Sequence, residues 1–286
     1  MKFACILLML CCFMQCRSKN KPVAQKEQTR KEPIYTDNYY RFDHSRDSAA
    51  LLKLYEQAVA TAATRINEPI FDNKLDTISY NGIDWYGTYL SGHLFSNDKI
   101  HLLLKRVRDY SMEDCCYADI FLLQGNKFVK VGSDTSGPGY GSDTLADVNG
   151  DGYKDHIISS YSPAGCCPRH DERGMIYNPR TGSFAYEQFF NAEYFPEKKL
   201  VYEMGYGSTG GVGFFKYRWE GVKKIPVEQV YPIGMYQLTS GNKPDTLELV
   251  SYPSERIRRI TKIPEEYKKL KLFWFFMAEP SPDEKI

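Results

Sequence analysis

A chain of 286 residues with 42% hydrophobic content and a formal net charge of +1 is long enough to bury a core and too weakly charged for a polyelectrolyte tail. Aromatic residues are 14% of it, chiefly 22 tyrosines, which suit half-buried pleated surfaces and so favour β structure.

Residues 1–15 read as an export signal. Lys2 supplies the positive start, and Phe3 to Met14 is an apolar run of 12 residues, too short to span a bilayer as a permanent helix. Cys16 closes that run where a bacterial lipoprotein signal carries its lipidated cysteine. The stretch resembles a lipobox, with Gln15 in place of the usual small residue and Cys11 and Cys12 as competing cysteines. The resemblance implies lipid attachment at Cys16, the membrane as a partner through that anchor, and a place in the cell envelope, at the outer membrane or its periplasmic face. Simple secretion and a retained apolar N-terminus are the alternatives. Residues 16–40 form a tether, and 17–32 hold six basic and two acidic side chains. That leaves residues 33–286 at about −4, with no basic footprint for nucleic acid.

Residues 41–236 read as a β-rich domain that opens on one amphipathic helix at 47–66. Leu51, Tyr55, Ala58, Val59, Ala62 and Ile66 follow helical spacing, Asp47 can cap the first turn, and Asn67-Glu68-Pro69 stops it. From Ile83 onward short apolar segments alternate with turns: Trp85 to Phe95, Ile100 to Val107, and Ala118 to Leu123. Gly125-Asn126 fits a tight hairpin because glycine accepts the positive φ of such a turn, and Asn178 to Gly182 and Glu220-Gly221 mark two more. The turns are too unevenly spaced for a repeat array. Residues 237–286 read as a C-terminal extension with one or two strands: Thr246 to Tyr252, and the run Leu272 to Met277 as a buried strand or an exposed docking patch. The expected class is mainly β, an antiparallel sandwich-like or partial propeller-like domain with one N-terminal helix.

The sharpest local signal is Asp147-Val148-Asn149-Gly150-Asp151-Gly152-Tyr153-Lys154-Asp155. Oxygen side chains stand at positions 1, 3, 5 and 9, and glycine at position 6 permits a sharp turn, which is the donor set calcium takes. The Tyr153 carbonyl is expected to add a ligand. Ile158 occupies position 12, where an EF-hand has glutamate, and the loop runs on into a strand. The spacing resembles the calcium loops of FG-GAP and VCBS repeats, the class found in integrin-α heads. That resemblance implies Asp147, Asn149, Asp151 and Asp155 as ligands of a structural Ca2+.

With the signal residues and Cys16 set aside, four cysteines remain as two adjacent pairs, Cys115-Cys116 and Cys166-Cys167. In an exported chain they are candidates for disulfides between the pairs, each closing a loop of about 50 residues and contributing roughly 4 kcal/mol. A zinc site built from these thiols and His170 is the rival.

Before the acidic loop lies Asp134-Thr135-Ser136-Gly137-Pro138-Gly139-Tyr140. Its Ser-Gly-x-x-Tyr pattern resembles the protruding loop of periplasmic lysozyme inhibitors, which implies that Ser136 and Tyr140 enter the cleft of a lysozyme-like wall hydrolase. The second motif of that family is not reproduced at Tyr206 to Gly211. No nucleophile elbow, zinc-protease pair, phosphate loop or dinucleotide fingerprint appears, and Tyr206 stands where an elbow before Ser208 needs glycine. The expected function is therefore binding: an envelope-anchored calcium-binding module for a protein or glycan, with a wall hydrolase as the sharpest partner. An envelope glycoside hydrolase or esterase, with carboxylates far apart in sequence, and a purely structural lipoprotein are the alternatives.

Overall fold

Strand signals of period two, punctuated by glycine turns, fold into three antiparallel meanders. The computed structural model describes residues 44–80, 83–109, 115–136, 139–161, 170–206, 212–232 and 247–277. The export signal, Cys16, the tether, Cys166 and Cys167 lie outside them. A helix α1 (His44–Thr64) precedes the first sheet, in which β1 (Ile70–Tyr80), β2 (Ile83–Gly92), β3 (His101–Asp109), β4 (Cys115–Gln124) and β5 (Lys127–Thr135) pair in chain order. The middle sheet is β6 (Tyr140–Ala146), β7 (Asp155–Tyr161), β8 (His170–Asn178) and β9 (Ser183–Phe190). The third is β10 (Glu193–Phe195), β11 (Leu200–Tyr206), β12 (Val212–Glu220), β13 (Lys223–Pro232), β14 (Leu247–Ser251) and β15 (Arg256–Ile260).

Alternation decides which sheet faces which. Leu102 and Leu104 pack with Ala58 and Ala62 of α1, whereas Leu103, Ala118 and Ile120 turn the other way and meet Ile158, Met175 and Tyr177 of the middle sheet. Ile157, Ile176 and Phe189 leave the opposite face of that sheet to meet Val201 and Trp219 of the third. The middle sheet is therefore covered on both faces, with short apolar stretches such as Ile157-Ile158 and Met175-Ile176-Tyr177 buried between its neighbours. The third sheet buries its outer face, including Met204, Phe214 and Leu249, under Ile263, Tyr267, Leu270 and Phe276. The architecture is mainly β and sandwich-like, with the amphipathic helix on one outer face.

Two expectations change. The predicted border at 236/237 cuts through one sheet, because β14 pairs with β13 from Glu228↔Ser251 to Pro232↔Leu247. The apolar run Leu272 to Met277 is no strand: Phe273–Phe276 forms a short helix, α2, after a 3-10 turn at Tyr267–Lys269. Each of these segments crosses the outer face of the third sheet, where side chains and not a sheet edge are available to partner it. The predicted hairpins occur at Gly125, Gly182 and Gly221, each with positive φ.

Candidate functional site

The acidic loop is the β6–β7 hairpin connection. Its side chains bend the chain by accepting its own amides. One Asp147 oxygen accepts from Gly150 N at 2.6 Å and Asp151 N at 3.2 Å, and the other from Gly152 N at 2.9 Å. Asn149 Oδ1 accepts from Asp151 N at 3.1 Å, and Asp151 Oδ1 from Tyr153 N at 3.0 Å. Gly150 and Gly152 supply the left-handed turns, with φ of 72° and 87°. The result draws the oxygens at positions 1, 3 and 5 onto one tightly curled segment.

Asp155 closes the loop from beneath. It is fully buried, and its two oxygens accept from Val148 N at 3.0 Å and Tyr177 N at 2.9 Å. No Lys, Arg or His among the described residues pairs with it. Burial pushes its carboxyl up to about 7, with the charges of Asp151 and Asp147 adding to the rise and the two amides opposing it. A buried carboxylate beside two more, without a cation, is costly unless it is protonated or a positive charge joins it.

Among the described residues no three His, Cys, Asp or Glu side chains form a metal-holding group. The oxygens of the loop are engaged with its own amides, but each carboxylate oxygen retains acceptor capacity beyond one hydrogen bond. By their chemistry three carboxylates and the Asn149 amide oxygen would supply a hard, all-oxygen donor set, which suits calcium and not a soft metal. The Tyr153 ring anchors its peptide in the core, 5.9 Å from the Tyr177 ring.

This loop touches all three sheets. Lys154 N donates to the Phe95 carbonyl after β2 at 3.4 Å, Asp155 binds β8 at Tyr177, and the Asn149 amide reaches the Gly221 carbonyl in the β12–β13 turn at 3.3 Å. Gly150 lies so close to the Pro196 carbonyl that a Cβ there would sit 2.0 Å from it.

Ser136 and Tyr140 both turn inward. Ser136 N donates to the Cys116 carbonyl at 2.8 Å, and its hydroxyl accepts from Cys116 N at 2.7 Å, so Ser136 prolongs the β4–β5 ladder as a buried residue. The Tyr140 hydroxyl donates to Asp143 Oδ1 at 2.7 Å. In this conformation neither polar group is offered to a partner. Cys116 is a free, buried thiol whose pKa burial pushes up to about 12, which makes it a poor nucleophile. The expected pairing of Cys115-Cys116 with Cys166-Cys167 falls on partners that lie outside the described residues.

Sequence reasoning missed the buried network at Asp143. That carboxylate receives Lys105 of the first sheet at 2.9 Å and lies 3.0 Å from His156 Nε2, besides Tyr140. Burial alone would raise its pKa, but the bonds from His156, Tyr140 and Lys105 outweigh burial and hold it well below the usual carboxylate range. The available signal was an acid two residues before Leu145 and so on the same face of β6, which a lone segment cannot distinguish from an exposed acid.

No family model matches the chain, and no curated protein does. Among solved structures it is similar to a Xanthomonas protein described as related to the type IV secretion system, at 12% identity and a TM-score of 0.30, covering 69% of this chain and 96% of that one.

Proposed function

We propose that the chain is a calcium-stabilised β module of the cell envelope that works by binding a protein or glycan. The observation that carries the calcium reading is the fully buried Asp155 carboxylate, unpaired by any cation among the described residues and beside the charges of Asp147 and Asp151. Asp147, Asn149, Asp151 and Asp155, with the Tyr153 carbonyl, would hold the ion, whose charge would offset that of the buried Asp155 carboxylate. Because the same loop bonds to β8, to the Phe95 segment and to the Gly221 turn, neutralising it stiffens the junction of three sheets at once. Calcium is then a condition for a rigid binding surface and takes no part in chemistry.

The test is thermal unfolding of the full chain in chelator and in millimolar calcium. A binding ion raises Tm with the logarithm of its concentration above Kd, with about 2.7 kcal/mol expected at a hundredfold excess over Kd. Asp151→Asn should shrink the shift. No shift in the wild type, with no calorimetric heat on adding calcium, would sink the reading.

The binding role rests on the export signal and on the absence of any catalytic motif in the sequence. A lysozyme-like wall hydrolase remains the first partner to try, by asking whether the protein slows lysis of purified cell walls at a stoichiometric ratio. With Ser136 and Tyr140 committed inside, the contacts in such a complex come from other groups, or the segment opens. Envelope attachment is tested by the mass of the mature N-terminus, where an unmodified residue removes the lipid anchor at Cys16.

A further inference from the structure

We propose that β15 and the groove beside it take an extended acidic peptide segment of a partner protein, added as a seventh strand to the six-stranded third sheet. This is independent of the calcium loop.

Among the described residues β15 is the last strand of its sheet and pairs only with β14, from Leu247↔Ile260 to Ser251↔Arg256. An edge strand presents outward N–H and C=O groups that a further strand can pair with. Arg256, Ile257, Arg258 and Arg259 are all exposed, and Ile257, at 57%, is the most exposed large apolar side chain among the described residues. None of the three arginines has an ion-pair partner among those residues, whereas Arg173 and Arg218 do. Exposed Lys262 follows, and no acid lies between Arg256 and Lys262.

The positions of these charges select the occupant. Arg256 and Arg258 stand opposite Ser251 and Leu249 on one face of the sheet, and Arg259 stands opposite Glu248 on the other. An added strand also alternates its side chains, so carboxylates on either of its faces meet a guanidinium, the cation best shaped to bind them in pairs. A flat anionic bilayer would engage one face only. The turn Tyr252–Glu255 joins this edge to an open groove whose lining includes the apolar Ile225, Pro226 and Val227 and the charged Arg218, Glu220 and Glu255. An apolar side chain near one end of the segment fits there, and exposed Ile257 gives it a second contact. The described part of the C-terminal cover does not pair with this edge: Ile263, Tyr267 and Phe276 pack on the outer face of the sheet. A charged edge also wards off unwanted pairing. That role alone predicts no ligand.

The test uses the full chain and an end-blocked, fluorescently labelled peptide of alternating glutamate and valine, with its glutamine counterpart as control. The glutamate peptide should bind about tenfold more tightly, weaken with salt, and lose about tenfold on Arg258→Glu/Arg259→Glu. The urea midpoint of that variant should fall only slightly, since both side chains are exposed and the one new like-charge pair, with Glu248 opposite residue 259, lies at the surface. Isotope-edited infrared spectra of the bound peptide should show a strand amide band. The proposal is overturned by equal binding of both peptides, by no binding of either, by indifference to the charge reversal, or by a bound peptide without strand signature. It is also overturned if phosphatidylglycerol vesicles are captured through these arginines while the peptide is not.

Discussion

The Asn149 side-chain amide donates to the Gly221 carbonyl at 3.3 Å, fastening the acidic loop of the middle sheet to a hairpin turn of the third. Lys154 N does the same toward the first sheet at Phe95, so a loop of nine residues is a joint for three meanders. Neutral hydrogen bonds of this kind contribute about 1 kcal/mol each, and their weight lies in acting together on one rigid segment.

That joint predicts unequal costs for its two left-handed glycines. In Gly150→Ala the new Cβ would meet the Pro196 carbonyl at 2.0 Å at a φ of 72°, so loop or turn must move, with an expected loss of about 2–4 kcal/mol. Gly152→Ala has a φ of 87° but nothing within 4 Å, and should lose only the conformational cost, about 1 kcal/mol. Urea unfolding of the two variants gives the difference. Equal losses would mean that the loop is not held against the third sheet.

A second joint, between the first and middle sheets, is carried by Asp143. Asp143→Ala leaves Lys105, the Tyr140 hydroxyl and His156 Nε2 without their acceptor in a buried setting, and should cost about 3–5 kcal/mol. Lys105→Met removes one of three donors from a side chain still 26% exposed, and should cost clearly less, about 1–2 kcal/mol. The same unfolding measurement checks both. If Lys105→Met costs as much as Asp143→Ala, the ion pair alone makes the joint.

Local features of this fold were legible because they depend on neighbours in the chain. Period-two apolar segments became strands, and Gly125, Gly182 and Gly221 turn with positive φ where the hairpins were expected. The helix predicted at 47–66 runs from His44 to Thr64, a shift at the frayed ends where hydrogen bonding is weakest. The division into three sheets was not legible. Leu103 and Leu104 look alike in sequence, yet one faces the middle sheet and the other faces α1. Leu272 to Met277 could not be assigned either, since six apolar residues suit a strand or a buried helical turn equally. At the site, the oxygens of the loop were readable from their spacing. The burial of Asp155 and the inward turn of Ser136 were not, because Tyr177 and Cys116, which hold them, lie about 20 residues away.

His101 supplies a pH dependence of known sign. Its ring is fully buried, edge-on to Phe95 at 5.1 Å and to Tyr177 at 5.5 Å, and neither nitrogen has a hydrogen-bond partner among the described residues. Burial pushes its pKa down from 6.5 to about 4; the charge of Lys99 adds to this, while the Lys99 backbone and Asp98 pull the other way. Above pH 6.5 the ring is neutral in both folded and unfolded chains and contributes no pH dependence. Below 6.5 the unfolded chain takes up the proton first, so stability falls with pH, by up to about 3 kcal/mol on reaching pH 4. Asp155 runs in the opposite sense: its raised carboxyl is protonated in the folded, metal-free chain near neutrality, so stability there rises as pH falls from 7 towards 4. The two effects separate by difference. His101→Phe keeps an aromatic ring in the same pocket and cannot titrate, so between pH 7 and pH 4 the wild type should lose about 3 kcal/mol more than the variant in urea unfolding. Parallel pH profiles for the two proteins would show that His101 takes up its proton as readily folded as unfolded, and would place its ring in water.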